Sequence, residues 1–335
     1  MEKILEVTNL EQRFDLNKGI LDKIKFKNGR FIKEERIVHA VNGVSFDIKK
    51  GEVFSLVGES GCGKSTTART IIKLIEPKGG KITFKGHDIT HLSEAEMLPL
   101  RKKMQMIFQD PYASLNPRQK VIDIITEPML FHKIVSTQNE GKEKALKLLQ
   151  KVGIRSEQAS RYPHQFSGGQ RQRIGIARAL AVEPEFIIAD EPVSALDVSI
   201  QAQILNLLME LKEEYGFSYL FIAHDLSVVH HISNRLGVMY LGCIVETGSR
   251  EQIYSNPQHP YTKALFSAVP KINQKSLDSF LELKGEIPSP IHLPKGCYFH
   301  ERCPLAKEIC KREIPQLKEL ESGHQAACHM LSFRK

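Results

Sequence analysis

The sequence lacks the features that would place the chain within a membrane or outside the cell. No apolar run approaches the roughly eighteen residues that a membrane-spanning helix needs. The N-terminus, Met1-Glu2-Lys3-Ile4, lacks the apolar core of a signal peptide. Charge of one sign is not concentrated either, because the net charge of +8 comes from Lys and Arg interspersed with Asp and Glu. We therefore expect a cytoplasmic chain with a solvated surface, which meets a membrane only through a partner.

Length and composition predict two domains. With 335 residues, of which 41% are hydrophobic, the chain can bury one large core and form a smaller domain besides. After Tyr254 the sequence becomes rich in proline and contains four of the six cysteines. We predict a main domain over residues 1–254 and a Pro- and Cys-rich C-terminal domain over 255–335. Residues 15–38, with five Lys and two Arg against four acidic residues, are predicted to form a surface loop or hairpin.

A glycine-rich loop has the pattern G-x-x-x-x-G-K-S, which binds the phosphates of nucleotides. The apolar run 53–57 precedes it and a helix is predicted for Lys64–Leu74, so the loop has the strand–loop–helix context that it needs. Lys64 would reach the β- and γ-phosphates, and the Ser65 hydroxyl would bind Mg²⁺. The predicted nucleotide-binding residues of this loop are Gly58, Ser60, Gly61, Cys62, Gly63, Lys64, Ser65 and Thr66.

A second pattern ends an apolar run with two acidic residues. Asp190 and Glu191 follow Phe186–Ala189 directly. At the end of a buried strand, Asp190 would hold Mg²⁺, usually through water. Glu191 would orient or deprotonate the water that attacks the nucleotide. Alone, the pattern is equally typical of a strand that meets a solvated turn, but behind a phosphate loop it favours nucleotide hydrolysis.

Apolar runs that alternate with helical segments predict an α/β fold with a mainly parallel sheet. The predicted strands are Leu5–Val7, Val44–Ile48, Val53–Val57, Met104–Phe108, Phe186–Ala189 and Tyr219–Ala223. The residues that carry chemistry follow the carboxyl ends of strands, where such sheets place their ligands. An inserted helical subdomain is predicted over about 111–178, and the helix after Gly168-Gly169 is predicted to run through Ala181.

Residues 40–250 resemble an ABC-transporter ATPase, a member of the P-loop NTPases. Six motifs of that family follow one another in the expected order. They are the phosphate loop, the Q-loop Gln109, the signature Ser167-Gly168-Gly169-Gln170, the acids Asp190 and Glu191, the D-loop 194–197 and the switch histidine His224. The resemblance implies that two protomers together bind ATP, so that the signature of one contacts the nucleotide held by the phosphate loop of the other.

The same resemblance assigns further residues. It implies that Gln109 and His224 take part in hydrolysis, with Gln109 also near Mg²⁺, and that Phe14 stacks on the adenine ring. One residue departs from the family pattern, because Phe166 stands before the signature where Leu is usual. This is an exchange of one apolar side chain for another.

Three other stretches resemble the ATP-binding subunits of bacterial dipeptide, oligopeptide and nickel importers. They are residues 108–118, 162–165 and 259–262. The resemblance implies a second, homologous ATPase subunit, two transmembrane permease subunits and, indirectly, a solute-binding protein as partners, with no nucleic acid. It places the chain peripherally at the cytoplasmic face of the inner membrane. The cargo stays open at this point, because selectivity lies in the partners.

Four cysteines are clustered near the C-terminus: Cys297, Cys303, Cys310 and Cys328. Disulfides are disfavoured in the cytoplasm, so the cluster suggests a metal site. The spacing is neither that of common zinc sites nor that of bacterial ferredoxins. It resembles the C-terminal pattern of dipeptide-importer ATPases, which implies a [4Fe–4S] cluster. Zinc is the alternative. We expect a structural role for the metal, with nucleotide binding at Lys64 independent of it.

Two other functions are alternatives to a role in peptide import. An ABC ATPase that acts on nucleic acid would carry a long coiled-coil insertion or two ATPase cassettes in one chain, and this sequence has neither. A non-catalytic ABC subunit would not need the intact Glu191 and signature. We therefore predict an enzyme, an ATPase that powers import of dipeptides or oligopeptides, with nickel as the alternative cargo.

Overall fold

The structure is a computed structural model. It describes residues 2–17, 24–27, 30–33, 36–267 and 285–331. Parts of the predicted insertion, residues 18–23, 28–29 and 34–35, lie outside the described residues. None of the helices in the described ranges combines the length and the apolar character needed to cross a membrane.

The strands of the described residues are, in chain order, β1 (Lys3–Asp15), β2 (Ile24–Lys27), β3 (Arg30–Lys33), β4 (Ile37–Lys49), β5 (Val53–Val57), β6 (Gly79–Phe84), β7 (His87–Asp88), β8 (Met104–Ile107), β9 (Phe186–Asp190), β10 (Ser218–Ala223), β11 (Arg235–Tyr240), β12 (Cys243–Ser249), β13 (Lys318–Glu321) and β14 (His324–Ala326). The helices are α1 (Lys64–Ile71), α2 (Glu94–Arg101), α3 (Pro111–Ser114), α4 (Val121–Phe131), α5 (Gln138–Lys151), α6 (Gly168–Leu180), α7 (Val198–Tyr215), α8 (Leu226–Ile232), α9 (Arg250–Ser255), α10 (Pro260–Ser267) and α11 (Glu308–Arg312). Both element types alternate along much of the chain, as the predicted α/β class requires.

The described residues fall into two compact units. Unit 1 consists of Met1–Leu5, Asp47–Leu56 and Phe84–Asn234, and unit 2 of Glu6–Phe46, Val57–Thr83 and Arg235–Lys335. The predicted division into domains 1–254 and 255–335 stays a prediction.

Unit 1 contains the predicted parallel strands. Strands β5, β10, β9 and β8 lie side by side in this order. In the parallel pair of β8 and β9, Ile107 lies opposite Ala189, and in the pair of β9 and β10, Ile222 lies opposite Asp190. All residues of β9 and β10 are buried, which explains their continuous apolar runs. The carboxyl ends of three strands therefore share one edge, and the residues that follow them are brought together.

Residues 111–180 of unit 1 are largely helical. Helices α4, α5 and α6 pack on one another in this region. Ser167 caps the N-terminus of helix α6: its hydroxyl accepts the backbone N–H of Gln170, while the Gln170 side chain accepts the N–H of Ser167. This capping box satisfies N–H groups that the first turn leaves unpaired. The helix ends at Leu180, close to the predicted Ala181. The region is helical as expected, and its status as an inserted subdomain remains a prediction.

Unit 2 contains antiparallel pairs. Strand β12 pairs with β11 and with β14, and β14 pairs with β13. Residues from the C-terminal region thus continue the sheet that β11 and β12 form. Strands β4, β1 and β6 form another sheet in this order, mostly within unit 2. The predicted hairpin is present within the insertion, where β2 pairs with β3 in antiparallel fashion from Ile24 opposite Lys33 to Lys27 opposite Arg30.

Candidate functional site

The phosphate loop, residues 58–66, lies in unit 2 and leads directly into α1. Gly63 precedes the helix with φ 106°, a left-handed conformation that favours glycine. A Cβ atom at this position would lie 2.2 Å from the carbonyl oxygen of Ala40, so backbone contact also demands glycine. The helix ends at Ile71, earlier than the predicted Leu74, since Lys73 adopts φ 60° and breaks the helical conformation. Glycine at position 63 is therefore required both by its backbone conformation and by its close contact with Ala40.

Lys64 is held inside its own loop. Its Nζ donates to the carbonyl oxygens of Gly58 at 2.9 Å and Glu59 at 3.1 Å, and the residue is only 4% exposed. These bonds satisfy an ammonium group that burial would otherwise destabilise. Ser65 and Thr66 follow in the first turn of α1 and are half-buried. The loop thus presents one cation, hydroxyl groups and a helix N-terminus, the set that binds polyphosphates.

Two other predicted nucleotide contacts of unit 2, Phe14 and Cys62, differ in their exposure to solvent. Phe14 lies near the end of β1 and is 36% exposed, so its ring has a free surface. Cys62 is buried, and burial raises the pKa of its thiol above the usual value despite the nearby Lys64. A thiol in this state is a poor nucleophile, which favours a packing role over redox chemistry.

The predicted catalytic residues of unit 1 converge on one carboxylate. Gln109 Nε2 donates to Glu191 Oε2 at 2.8 Å, and His224 Nδ1 lies 3.5 Å from the same oxygen. The three residues follow β8, β9 and β10, whose carboxyl ends share one edge. Glu191 itself adopts φ 45°, rare for a residue with a side chain, and its N–H donates to Ile222 O at 3.0 Å. Such strained residues cluster at functional sites because the surrounding structure must hold them.

Asp190, the last residue of β9, is completely buried. A buried carboxylate at a strand end is a hard oxygen ligand, and so is a side-chain amide oxygen such as that of Gln109. Both suit Mg²⁺, which prefers oxygen donors. The chemistry of Asp190 and Gln109 therefore fits the predicted magnesium site.

The signature and the D-loop pack against each other within unit 1. A Cβ at Gly168 would lie 3.4 Å from Leu196 Cδ2, and one at Gly169 would lie 2.5 Å from Ile200 Cγ2. Glycine at these positions lets α6 approach the start of α7 closely. Ser194 is anchored to Glu191, whose carbonyl oxygen accepts bonds from both the backbone N–H and the hydroxyl of Ser194. The D-loop is thereby tied to the residue that carries the central carboxylate. Phe166, the departure from the family pattern, is buried.

The four C-terminal cysteines lie in unit 2 as free thiols. Burial raises the pKa of Cys297 to about 11 and that of Cys328 above its usual value. Two of the four are joined through the backbone, because the Cys297 N–H donates to Cys310 O at 2.8 Å. In the described residues, however, no group of three or more His, Cys, Asp or Glu side chains is arranged to hold a metal ion.

Backbone N–H donors at three of these sulfurs nevertheless favour metal binding. The Met330 N–H donates to Cys328 Sγ at 3.4 Å, and backbone hydrogen bonds from Phe299 and Leu305 favour the thiolates of Cys297 and Cys303. In each case the donor is two residues after the cysteine. Donors placed in this way stabilise sulfur-held metals, because they offset the negative charge of the ligands. The donor chemistry therefore fits a thiolate site.

Sequence reasoning did not assign a role to two residues that contact the phosphate loop. The Arg302 guanidinium pairs with the Glu59 carboxylate, and the Tyr261 hydroxyl accepts the Glu59 N–H. Tyr261 belongs to the stretch 259–262 that resembles importer subunits, but the sequence did not predict its contact with Glu59. No motif in the sequence includes Arg302, and its contact with Glu59 joins residues that are distant in the chain.

Comparison with known families finds two matches along the chain. Residues 41–194 match the ABC transporter family, and residues 245–310 match the C-terminal region of oligopeptide/dipeptide transporters. The first match includes the phosphate loop, Gln109, the signature and Glu191. The second includes Tyr261, Arg302 and three of the four clustered cysteines.

Known proteins similar to this chain cover nearly all of it. The oligopeptide transport ATP-binding protein AppF of Bacillus subtilis is 53% identical, over 99% of this chain and 98% of its own length. The dipeptide transport ATP-binding protein DppF of Haemophilus influenzae is 50% identical, over 92% of this chain and 94% of its own.

Solved structures give the same answer for the fold. The bacterial ABC transporter cassette MJ0796, solved as a dimer, superposes with a TM-score of 0.63 at 28% identity, covering 73% of this chain and 98% of the cassette. CbiO1 of Clostridium perfringens, part of an ABC transporter complex, gives 0.62 at 26% identity, covering 76% of this chain and 92% of its own. The predicted P-loop ABC ATPase fold is confirmed. The chain therefore belongs to the ABC transporter family, and within it to the ATP-binding subunits of oligopeptide and dipeptide transporters.

Proposed function

We propose that this chain hydrolyses ATP to drive a bacterial importer of dipeptides or oligopeptides. The observation that carries the hydrolytic part is the convergence of Gln109 and His224 on the Glu191 carboxylate at the shared edge of three parallel strands. The cargo follows from relatives named as oligopeptide and dipeptide transport ATP-binding proteins.

The phosphate loop would bind the triphosphate of ATP through its backbone N–H groups and Lys64. Lys64 already donates to carbonyl oxygens of the loop, and it would exchange these bonds for phosphate oxygens, which are stronger partners for an ammonium group. Ser65, Gln109 and Asp190 would hold Mg²⁺, which supplies positive charge to the phosphates as they react. Phe14, with its exposed ring, would stack on the adenine.

Glu191 would act as the general base in hydrolysis. Its carboxylate would accept a proton from water as the water attacks the γ-phosphorus, in line with the bond to the leaving ADP oxygen. Gln109 would orient the carboxylate through its 2.8 Å bond and help to position the water. His224, which is more than half exposed, would donate to the γ-phosphate as negative charge develops.

Complete sites would require a second ATPase subunit. Ser167, Gly168, Gly169 and Gln170 form the N-terminus of α6, whose N-terminal end favours anions. In the proposed pair they would bind the nucleotide that a homologous chain holds. Two permease subunits would connect the pair to the membrane at its cytoplasmic face, with a solute-binding protein supplying the cargo.

Cargo-stimulated ATP hydrolysis tests this function. The tagged chain, purified with its bound subunits from native membranes and placed in lipid vesicles, should hydrolyse ATP faster when a dipeptide or oligopeptide and the binding protein are supplied. Nickel ions and single-stranded DNA serve as the comparison additives. Stimulation by nickel alone would replace the cargo assignment, and stimulation by DNA alone would refute import.

We further propose that the four clustered cysteines hold a [4Fe–4S] cluster in the C-terminal region. Support comes from the backbone bond that joins Cys297 to Cys310, at 2.8 Å, and from backbone N–H donors at three of the sulfurs, among them Met330 N–H to Cys328 Sγ at 3.4 Å. Metal would convert the thiols to thiolates. Binding would also draw the sulfurs together, and its free energy would stabilise a region with little core of its own.

We expect Cys303→Ser to lose the cluster. Wild-type protein purified without oxygen should be brown and contain iron and sulfide in equal amounts, whereas Cys303→Ser should contain little of either. Cys243→Ser is the matched control, because this half-buried cysteine is outside the four and donates to Asn42 O at 3.1 Å. Stoichiometric zinc without iron in the wild type would refute the cluster but leave a four-cysteine site. Absence of any metal would refute the site.

A further inference from the structure

An ion pair joins the C-terminal cysteine segment, residues 297–328, to the phosphate loop within unit 2. Arg302 Nη1 donates to Glu59 Oε2 at 2.8 Å, and Nη2 donates to Oε1 at 3.1 Å. Glu59 is the second residue of the phosphate loop, and Arg302 directly precedes Cys303. The Arg302 side chain is 5% exposed and that of Glu59 is 23% exposed. A bidentate, largely buried pair of this kind fixes both partners in direction as well as distance.

A second bond holds the backbone of the same residue. The Tyr261 hydroxyl accepts the Glu59 N–H at 2.9 Å, and Tyr261 is completely buried. The position of Tyr261 is fixed in turn by His259, whose Nδ1 accepts the Tyr261 N–H at 3.1 Å. Burial lowers the pKa of His259 to about 4, so that this nitrogen remains an acceptor at neutral pH. Side chain and backbone of Glu59 are thus held by two different parts of the chain.

Three aromatic rings form the base on which these contacts rest. The rings of Tyr240, Tyr261 and Phe299 have centroids 4.8 to 5.5 Å apart. Phe299 lies between Cys297 and Cys303, and Tyr240 OH is 3.5 Å from Arg302 Nη1. Aromatic rings at these centroid distances are packed in contact, and all three are buried. Residues 297–303 and helix α10 therefore meet at one ring cluster, and Arg302 and Tyr261 join it to the phosphate loop.

We propose that Arg302 is a positioning residue for ATP binding, and that through it the C-terminal cysteine region sets the affinity of the phosphate loop for nucleotide. The proposal rests on the proposed function, in that the loop must bind ATP. It runs against the expectation from sequence that the cysteine region leaves nucleotide binding at Lys64 unaffected.

For two physical reasons, Arg302 should raise the affinity of the loop for ATP. Because Glu59 is held at both its side chain and its backbone, the phosphate loop is already ordered before ATP binds. A loop that had to become ordered on binding would bind ATP with lower affinity. Arg302 also neutralises a carboxylate within a loop that receives a polyphosphate. Without Arg302, the unpaired Glu59 would repel the phosphates, and the repulsion would add to the loss of order.

The test compares ATP affinity of full-length variants by titration with a fluorescent ATP analogue. Arg302→Gln should weaken binding about tenfold or more. Arg312→Gln is the matched control, since it removes the same charge from an exposed residue of the same segment and should bind like the wild type. Adding Glu59→Gln to Arg302→Gln should restore part of the affinity, because the repelling charge is then absent. In the assembled transporter, Arg302→Gln should raise the KM for ATP and leave kcat at saturating ATP nearly unchanged.

The possible outcomes distinguish failure of this inference from failure of the proposed function. Failure of the wild type to bind the analogue refutes the proposed function and this inference with it. Wild-type binding with an equal affinity in folded Arg302→Gln refutes the inference alone and leaves the proposed function standing. Should Arg302→Gln not fold, Tyr261→Phe decides, because it removes only the hydroxyl that accepts the Glu59 N–H. A severalfold loss of affinity in Tyr261→Phe supports positioning, and an unchanged affinity refutes it.

Discussion

Glu191→Gln should lower ATP turnover by the assembled transporter about a hundred- to ten-thousandfold and leave ATP binding intact. Glutamine keeps the size of the side chain and can still meet Gln109 and His224, but it cannot accept a proton from water. The steady-state ATPase rate and the affinity for a fluorescent ATP analogue, measured side by side, separate the two effects.

Glu183→Gln provides the matched control for this experiment. Glu183 is exposed and lies eight residues earlier in the chain, so the same exchange there should leave turnover unchanged. Gln109→Ala and His224→Ala should have smaller effects than Glu191→Gln, because these residues orient groups rather than accept the proton. Near-normal turnover in Glu191→Gln would refute the assignment of Glu191 as general base.

Ser167→Arg should prevent ATP-dependent pairing with the partner ATPase and reduce turnover of the complex by about a hundredfold or more. A long, charged side chain at the N-terminus of α6 would fill the space in which the partner's nucleotide is proposed to lie. Affinity of the isolated chain for ATP should stay close to that of the wild type, because its own phosphate loop is unchanged. Light scattering with and without ATP, in the Glu191→Gln background that preserves bound ATP, measures the pairing.

The control for this prediction is Ser160→Arg. Ser160 is exposed in a turn that precedes the signature, so the same substitution tests for a general effect of added bulk and charge. The isolated wild-type chain should be mainly monomeric and weakly active. A stable wild-type homodimer without nucleotide, or normal pairing by Ser167→Arg, would contradict the proposed site at the protomer interface.

The phosphate loop could be predicted because its function depends on consecutive residues. Glycines 58, 61 and 63 all have positive φ, a backbone conformation that the glycine-rich pattern itself indicates. The same holds for the capping box of α6, where Ser167 and Gln170 are three residues apart. Errors at this level were small, such as the end of α1 at Ile71, where a single residue in the left-handed conformation decides the boundary.

The cluster around Glu191 could be predicted in part. Apolar runs indicated buried parallel strands, and parallel strands bring residues that follow their carboxyl ends to one edge. That Gln109 and His224 both meet Glu191 Oε2 depends on strand register, which the sequence pattern does not specify. Their roles in hydrolysis still rest on the family resemblance and remain predictions.

By itself, the sequence predicted strands β1, β4, β5, β8, β9 and β10, the phosphate-loop motif and the family, because each depends on residues that are close in the chain or on a motif order that can be compared. Strands β6, β7 and β11 to β14 were not predicted from it. Only the tertiary structure showed that β14 of the C-terminal region pairs with β12. It also showed that Arg302 forms an ion pair with Glu59, which lies 243 residues earlier in the chain. Contacts of this length arise from the packing of the whole unit, and an Arg and a Glu that are far apart carry no local pattern to reveal them. The physical link between the cysteine segment and the phosphate loop is therefore a property of the fold alone.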